Sequence, residues 1–175
     1  MNTPVDIDAL HEAMKTALAA QFVGTSVDFY PRPGDKITVP AILIDLDEIS
    51  ADDPDDIGTE QMPVTLNFHF YCVRSYKSGN KLAIRTFAAS VMTFARGQRW
   101  SQPVGAAKVN GAFPDQFSAD SKEYEVMRVE LSHEALLGID VWIDEGEVPT
   151  EVYLGEAPNI GPAHVADYTL IATAP

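Results

Sequence analysis

From Val64 to Cys72 the chain alternates with a period of two. Val64, Leu66, Phe68, Phe70 and Cys72 fall on one side, and Thr65, Asn67, His69 and Tyr71 on the other. That period predicts a strand with one apolar face. The period then changes. Leu82, Phe87, Val91 and Phe94 recur at helical spacing, with Ile84, Ala88 and Ala95 beside them, which predicts an amphipathic helix. Asn80 is placed to cap its first turn, because its side-chain oxygen accepts from free backbone N–H groups. Gly97 is placed to end it. A strand feeding a helix through Ser78-Gly79-Asn80 is a core-forming unit. The other strands are expected to pair around this strand, and a second helix to pack beside this one.

The second helix opens the chain. Thr3 is the expected cap, Pro4 the first helical residue, and Asp6 the acidic residue that favours a helix N-terminus. Ile7, Leu10, Met14, Ala17, Leu18 and Gln21 mark its stripe, and it should end near Phe22 and Gly24. Its polar face carries one lysine, Lys15, so packing on a sheet is favoured over lying on a membrane. Ser26–Tyr30 reads as a short strand, Pro31–Asp35 as a turn, and Pro40–Ile49 as a strand in which Ile42, Ile44 and Leu46 alternate with Leu43, Asp45 and Asp47. After the central helix, Trp100–Gly105 reads as a loop. Ala107–Phe113 reads as a strand anchored by Val109 and Phe113, with a turn or bulge at Asn110-Gly111. Residues Pro114–Lys122 connect. Tyr124–Leu136 is a long strand: Met127, Val129, Leu131, His133 and Ala135 share one face, and Val126, Arg128, Glu130, Ser132, Glu134 and Leu136 the other. The second face is largely charged and should look at water or at a polar interface.

Two segments break the pattern. Six acidic residues run from Glu48 to Glu60, most of them inside the excursion Asp52–Gln61. A hairpin connection takes about two to five residues, so this loop is longer than folding requires. It reads as a solvated loop or as a protein-contact arm. A calcium site is disfavoured, because the spacing departs from an EF-hand and Pro54 stands where a ligand would. The C-terminal stretch Gly146–Pro175 holds Pro149, Pro158, Pro162 and Pro175 with Gly155 and Gly161. It cannot bury enough to fold alone. Its two apolar patches, Val152-Tyr153-Leu154 and Tyr168-Thr169-Leu170-Ile171, favour an arm that packs on its own or a neighbouring subunit. The organisation expected is one domain over residues 1–145 followed by this arm, 146–175.

Charge narrows the function. Twelve Lys and Arg against twenty-six Asp and Glu give a formal net charge of −14. Phosphate binding draws its free energy from Lys and Arg displacing counterions, so nucleic-acid gripping is disfavoured, as is docking on anionic lipid. A surface that lets DNA pass without sticking fits. The single cysteine, Cys72, excludes an internal disulfide and sits within the apolar alternation, so a buried inert thiol is expected. No basic-then-apolar segment opens the sequence, and no apolar run approaches ~18–20 residues. A soluble, cytoplasmic chain with no membrane span is expected.

Catalytic motifs are absent. His11-Glu12 and His133-Glu134 begin H-E-x-x-H, but Lys15 and Leu137 stand where the second histidine belongs. His11, His69, His133 and His164 do not form ligand spacings with Cys72. No nucleophile elbow, phosphate-binding loop or dinucleotide fingerprint occurs. Asp45 and Asp47 share a strand face, for which a solvated face is the preferred reading over an acid–base pair. His69 and Tyr71 are expected to be half-buried beneath the helix layer or at a subunit contact. No catalytic, cofactor or metal residue is assigned.

Three stretches resemble the tail terminator (tail-completion) proteins of long-tailed, Mu-like bacteriophages: the helix IDALHEAMKTALAAQF, the strand PVTLNFHFYCV leading to the helix KLAIRTFAASVMTFA, and RVELSHEALLGIDVW with its Gly138-x-Asp140-x-Trp142 ending. The resemblance spans residues 5 to 143. It implies an α+β fold, a mixed and mainly antiparallel sheet with two helices on one face. It implies a virion protein, assembled in the host cytoplasm, that forms a hexameric ring on the tail tube, ends tube growth and presents a surface to head–tail connector or neck proteins. Contact with the tail sheath and passage of DNA through the channel without specific binding also follow. The expected interface residues are Asp52, Asp53, Asp55, Asp56 and Glu60 in the acidic loop, and Val152, Tyr153, Leu154, Tyr168 and Leu170 in the arm. A head-closure or neck adaptor, or a tail-tube protein, is the alternative. A small hydrolase using Asp45/Asp47 or His133/Glu134 is the rival from another class.

Overall fold

The computed structural model describes residues 3–30, 37–51, 58–76, 81–115, 124–141 and 149–173. Within these, the chain forms two compact units, Met1–Val141 and Trp142–Pro175.

The larger unit is a five-stranded sheet carrying two helices. Its elements are α1 (Ile7–Gln21), β1 (Ser26–Phe29), β2 (Ala41–Ala51), β3 (Met62–Ser75), α2 (Lys81–Ala95), β4 (Lys108–Asp115) and β5 (Tyr124–Leu137). The strand order is β1-β2-β3-β5-β4. β1 runs parallel to β2, and every other pair is antiparallel. The fold is α+β, and β3 is the middle strand, as its alternation predicts. Val64, Leu66, Phe68, Phe70 and Cys72 are all buried. They join Leu10, Met14 and Leu18 of α1, Ile84, Ala88, Val91 and Ala95 of α2, and Met127, Val129, Leu131 and Ala135 of β5 in one core. Both helices therefore pack on the same face of the sheet. Full burial of side chains such as Phe68 or Leu66 stabilises by about 1.5–3 kcal/mol each.

Local details differ from the pattern in instructive ways. α1 is capped by Asp6, whose Oδ1 accepts from the Ala9 N–H at 3.0 Å. Thr3 is not the cap, because the Val5 N–H donates to the Leu136 carbonyl at 2.9 Å and holds the chain out of the helix until Asp6. The buried stripe of α2 is Ile84, Ala88, Val91 and Ala95, while Leu82 is 66% exposed. Phe87 and Phe94 flank the stripe and meet Phe22 edge-on, with ring centroids 5.9 and 5.8 Å apart. Asn80, the turn Ser78-Gly79-Asn80, the turn Pro31–Asp35 and most of the connection Pro114–Lys122 lie outside the described residues. Gly97 ends the helix at φ +78°, and its N–H donates to the Ala107 carbonyl.

Trp100, in the loop after α2, is buried; its ring reaches into the core beside Phe70 and Phe94. β4 carries the bulge expected at Asn110-Gly111. Phe113 is no core anchor: it is 45% exposed and lies over Gly111, where a Cβ would sit 2.8 Å from its ring. β5 stops at Leu137, because Gly138 takes φ +92°.

The C-terminal unit holds a two-stranded antiparallel ribbon, β6 (Glu151–Leu154) and β7 (Thr169–Thr173), with a short 3-10 segment at Pro162–Asp167 between them. None of its described residues is buried.

Candidate interaction surfaces

The sheet has one face under the helices and one face turned away. His69 and Tyr71 lie on the second, so they are not beneath the helix layer. At one end of this open face Ala41, Leu43, Val73 and Val126 form a small buried cluster, with Ile37, Val39, Tyr71 and Tyr124 packed against it. The rest of the face is polar. Register places Asp45 opposite His69, His69 opposite Glu130, and Tyr71 opposite Arg128.

Two bulges meet in one row across this polar part. β2 bulges at Asp47, between the pairs Leu46–Phe68 and Glu48–Asn67. β4 bulges at Asn110, beside Leu131 and Glu130. A bulge bends its strand and re-aims a side chain. Here both extra residues line one open cleft of about 480 Å³, with Glu48, Asn67, His69, Arg128 and Glu130.

Charge in this cleft is unbalanced. Arg128 is held by Asp115 Oδ2 at 2.6 Å and by Glu130 Oε1 at 2.8 Å. His69 stands between two carboxylates, with Nδ1 3.5 Å from Asp47 Oδ1 and Nε2 4.0 Å from Glu130 Oε1. These are ion-pair distances, too long for strong hydrogen bonds. Among the described residues, no Lys or Arg pairs with Asp45, Asp47 or Glu48. Burial, and then the nearby Asp47 charge, raise the Asp45 carboxyl above its ordinary range. Among the described residues there is no group of His, Cys, Asp and Glu with the geometry of a metal site.

His133 and His11 are structural. His133 lies in the core and Glu134 points to the opposite face of the sheet, so the two do not converge. The Trp100 indole N–H donates to His133 Nε2 at 2.9 Å, and His133 Nδ1 lies 2.8 Å from the Gly105 carbonyl. That pairing requires the neutral ring with its proton on Nδ1. Burial lowers the His133 pKa. His11 is buried too: Nδ1 donates to the Ile7 carbonyl at 2.8 Å, and Nε2 lies 2.9 Å from the Tyr30 hydroxyl. The Cys72 thiol is pushed up to about 12 by burial.

Of the expected interface residues in the acidic loop, Asp52, Asp53, Asp55 and Asp56 lie outside the described residues. Glu60 is exposed and takes φ +58°. Its neighbours are anchored. Thr59 and Gln61 are buried, the Val141 N–H donates to the Thr59 carbonyl at 3.2 Å, and Gln61 Nε2 donates to the Gly138 carbonyl at 3.2 Å. The end of the excursion is thus tied to the exit of β5.

In the C-terminal unit, Val152, Tyr153, Leu154 and Leu170 are all exposed, and Tyr153 pairs with Leu170 across the ribbon. Tyr168 has an internal role. Its ring covers Gly155, where a Cβ would lie 2.6 Å away, and its hydroxyl accepts the Gly161 N–H at 2.6 Å. Alternation and composition marked the exposed apolar patches; the strut formed by Tyr168 had no such signal. No protein-family model matches the chain, and no curated protein matches it.

Proposed function

We propose that this chain is a structural virion protein. It caps a bacteriophage tail tube as a ring, ends tube elongation, and offers its far side to head–tail connector or neck proteins. The supporting observation is the distribution of unsatisfied surface. A sheet built on strands of up to 14 residues carries both helices of its unit on one face. Its other side carries a polar cleft in which, among the described residues, neither Asp47 nor Glu48 pairs with a Lys or Arg. The C-terminal ribbon presents Val152, Tyr153, Leu154 and Leu170 to solvent, and a lone two-stranded ribbon is marginal in water without something to pack against. Such surfaces suit a molecule that works by association. A ring subunit needs two different patches, one for each neighbour. The net charge of −14 keeps a channel through the ring from holding DNA.

The test is growth of tail tubes from purified tail-tube protein, imaged by electron microscopy, with and without this chain. Added protein should stop elongation and leave density on one end of each tube. Tubes that grow unchanged would end the proposal. A chain that polymerises into tubes by itself would point to the tail-tube alternative.

A further inference from the structure

The chain's charges are segregated. Between Gln61 and Pro114 there is no Asp or Glu, yet this stretch holds seven of the twelve Lys and Arg residues. α2 lies inside it and carries no acidic side chain. Lys81, Arg85 and Arg96, just past the helix end, are all exposed and fall in one row along it. Among the described residues, none of the three forms an ion pair. Lys81 and Arg85 line a second cleft with Glu125, and no ion pair joins them to it.

The rest of this outer face makes few demands on a partner. Thr86, Ser90 and Thr93 each turn the hydroxyl back to the carbonyl four residues earlier, at 3.0, 3.0 and 2.9 Å. Their donors are already used. Covering them therefore leaves no new buried donor unmet. Leu82 stands exposed beside them.

The complement lies on the open face of the sheet, where, among the described residues, no Lys or Arg pairs with Asp45, Asp47 or Glu48 and Arg128 is already shared by two carboxylates. A helix surface of one sign and a sheet surface of the other is the pattern of a head-to-tail contact between identical chains. We infer that the outer face of α2 in one copy docks on the open sheet face of the next, with Lys81, Arg85 and Arg96 set against Asp45, Asp47 and Glu48. This rests on the ring-subunit reading and assigns its two subunit faces. Such a contact leaves a free patch of each kind at either end, so it continues until the ring closes.

Sedimentation velocity of the full chain, alone and with tail-tube protein, tests it. The wild type should form assemblies that weaken as salt is raised, since exposed charges are screened within about 10 Å at 0.1 M ionic strength. Lys81→Glu/Arg85→Glu/Arg96→Glu should weaken association by at least about tenfold, and Asp47→Lys/Glu48→Lys should do the same. An equimolar mixture of the two variants should restore assembly, because each supplies the face that the other has lost. Thermal melts check folding; should a reversal variant unfold, Lys81→Gln/Arg85→Gln/Arg96→Gln takes its place. If the wild type assembles and neither reversal matters, this contact is wrong and the ring stands on other faces. If the wild type stays monomeric in both settings, the ring and the contact fall together. If only the α2 variant matters, and the wild type retards a short DNA duplex that this variant does not, the face serves nucleic acid and the inference is overturned.

Discussion

At the scale of single residues, the buried pair Trp100–His133 carries the most testable chemistry. Removing the indole N–H in Trp100→Phe leaves a buried acceptor unmet, so stability should fall by about 1–3 kcal/mol, read by urea unfolding. The same ring sets a pH dependence. His133 has a lowered pKa in the folded state, so the unfolded chain binds the proton more readily. Its contribution is fully present above the unfolded value, about 6.5, and is lost as pH falls below that value toward the lowered folded one. The urea midpoint should therefore drop between about pH 7 and pH 5, and the drop should shrink in His133→Gln. Cys72, with its thiol pushed up to about 12, should resist a thiol reagent at pH 8 until the protein is unfolded. The inert cysteine was legible, because it sits in a strict alternation. Trp100 was not: a tryptophan in a loop has no period to betray its burial.

At the scale of elements, the strands were easier to read than the helices. β3 and β5 alternate between large apolar and polar side chains, and both buried faces follow from that alone. α2 misled because alanines form half its buried stripe. They let the helix sit close to the sheet, yet weigh little in a hydrophobic pattern, while Leu82 weighs heavily and faces out. The start of α1 was read with Thr3 as the cap and Asp6 as an acidic residue after it, whereas Asp6 is the cap. Local sequence cannot choose between them, since the deciding bond runs from Val5 to Leu136. Asp6→Ala should thus cost about 1 kcal/mol and Thr3→Ala almost nothing, compared by thermal unfolding. The alternation of β3 put His69 and Tyr71 on its polar face; because the helices take the other face, the first of their two expected settings, beneath the helix layer, is excluded, and the subunit contact is left. The bulge at Asn110 was legible in Asn110-Gly111, whereas the bulge at Asp47 and the meeting of the two in one row depend on register between distant strands, which no single segment encodes.

At the scale of the whole molecule, the division of labour is between a unit with a core and a unit without one. Because no described residue of the C-terminal unit is buried, removing residues 149–175 should leave the unfolding free energy of the larger unit within about 0.5 kcal/mol of its original value, measured by denaturant titration. That the described residues of this stretch form no core was legible from its prolines and sparse apolar patches. The one-sided sheet was legible only as a fold class, since the placement of charge on its open face emerges when four strands are in register. Both units leave their unsatisfied groups on the outside, which is the account's central claim: the protein acts by joining copies of itself at the end of a tube. Native mass spectrometry of short tail tubes mixed with an excess of the full chain tests this most directly. The account predicts one discrete added mass per tube, equal to a closed ring of about six copies, that does not grow with further protein. Tubes that gain no mass, or that gain it without limit, would contradict it.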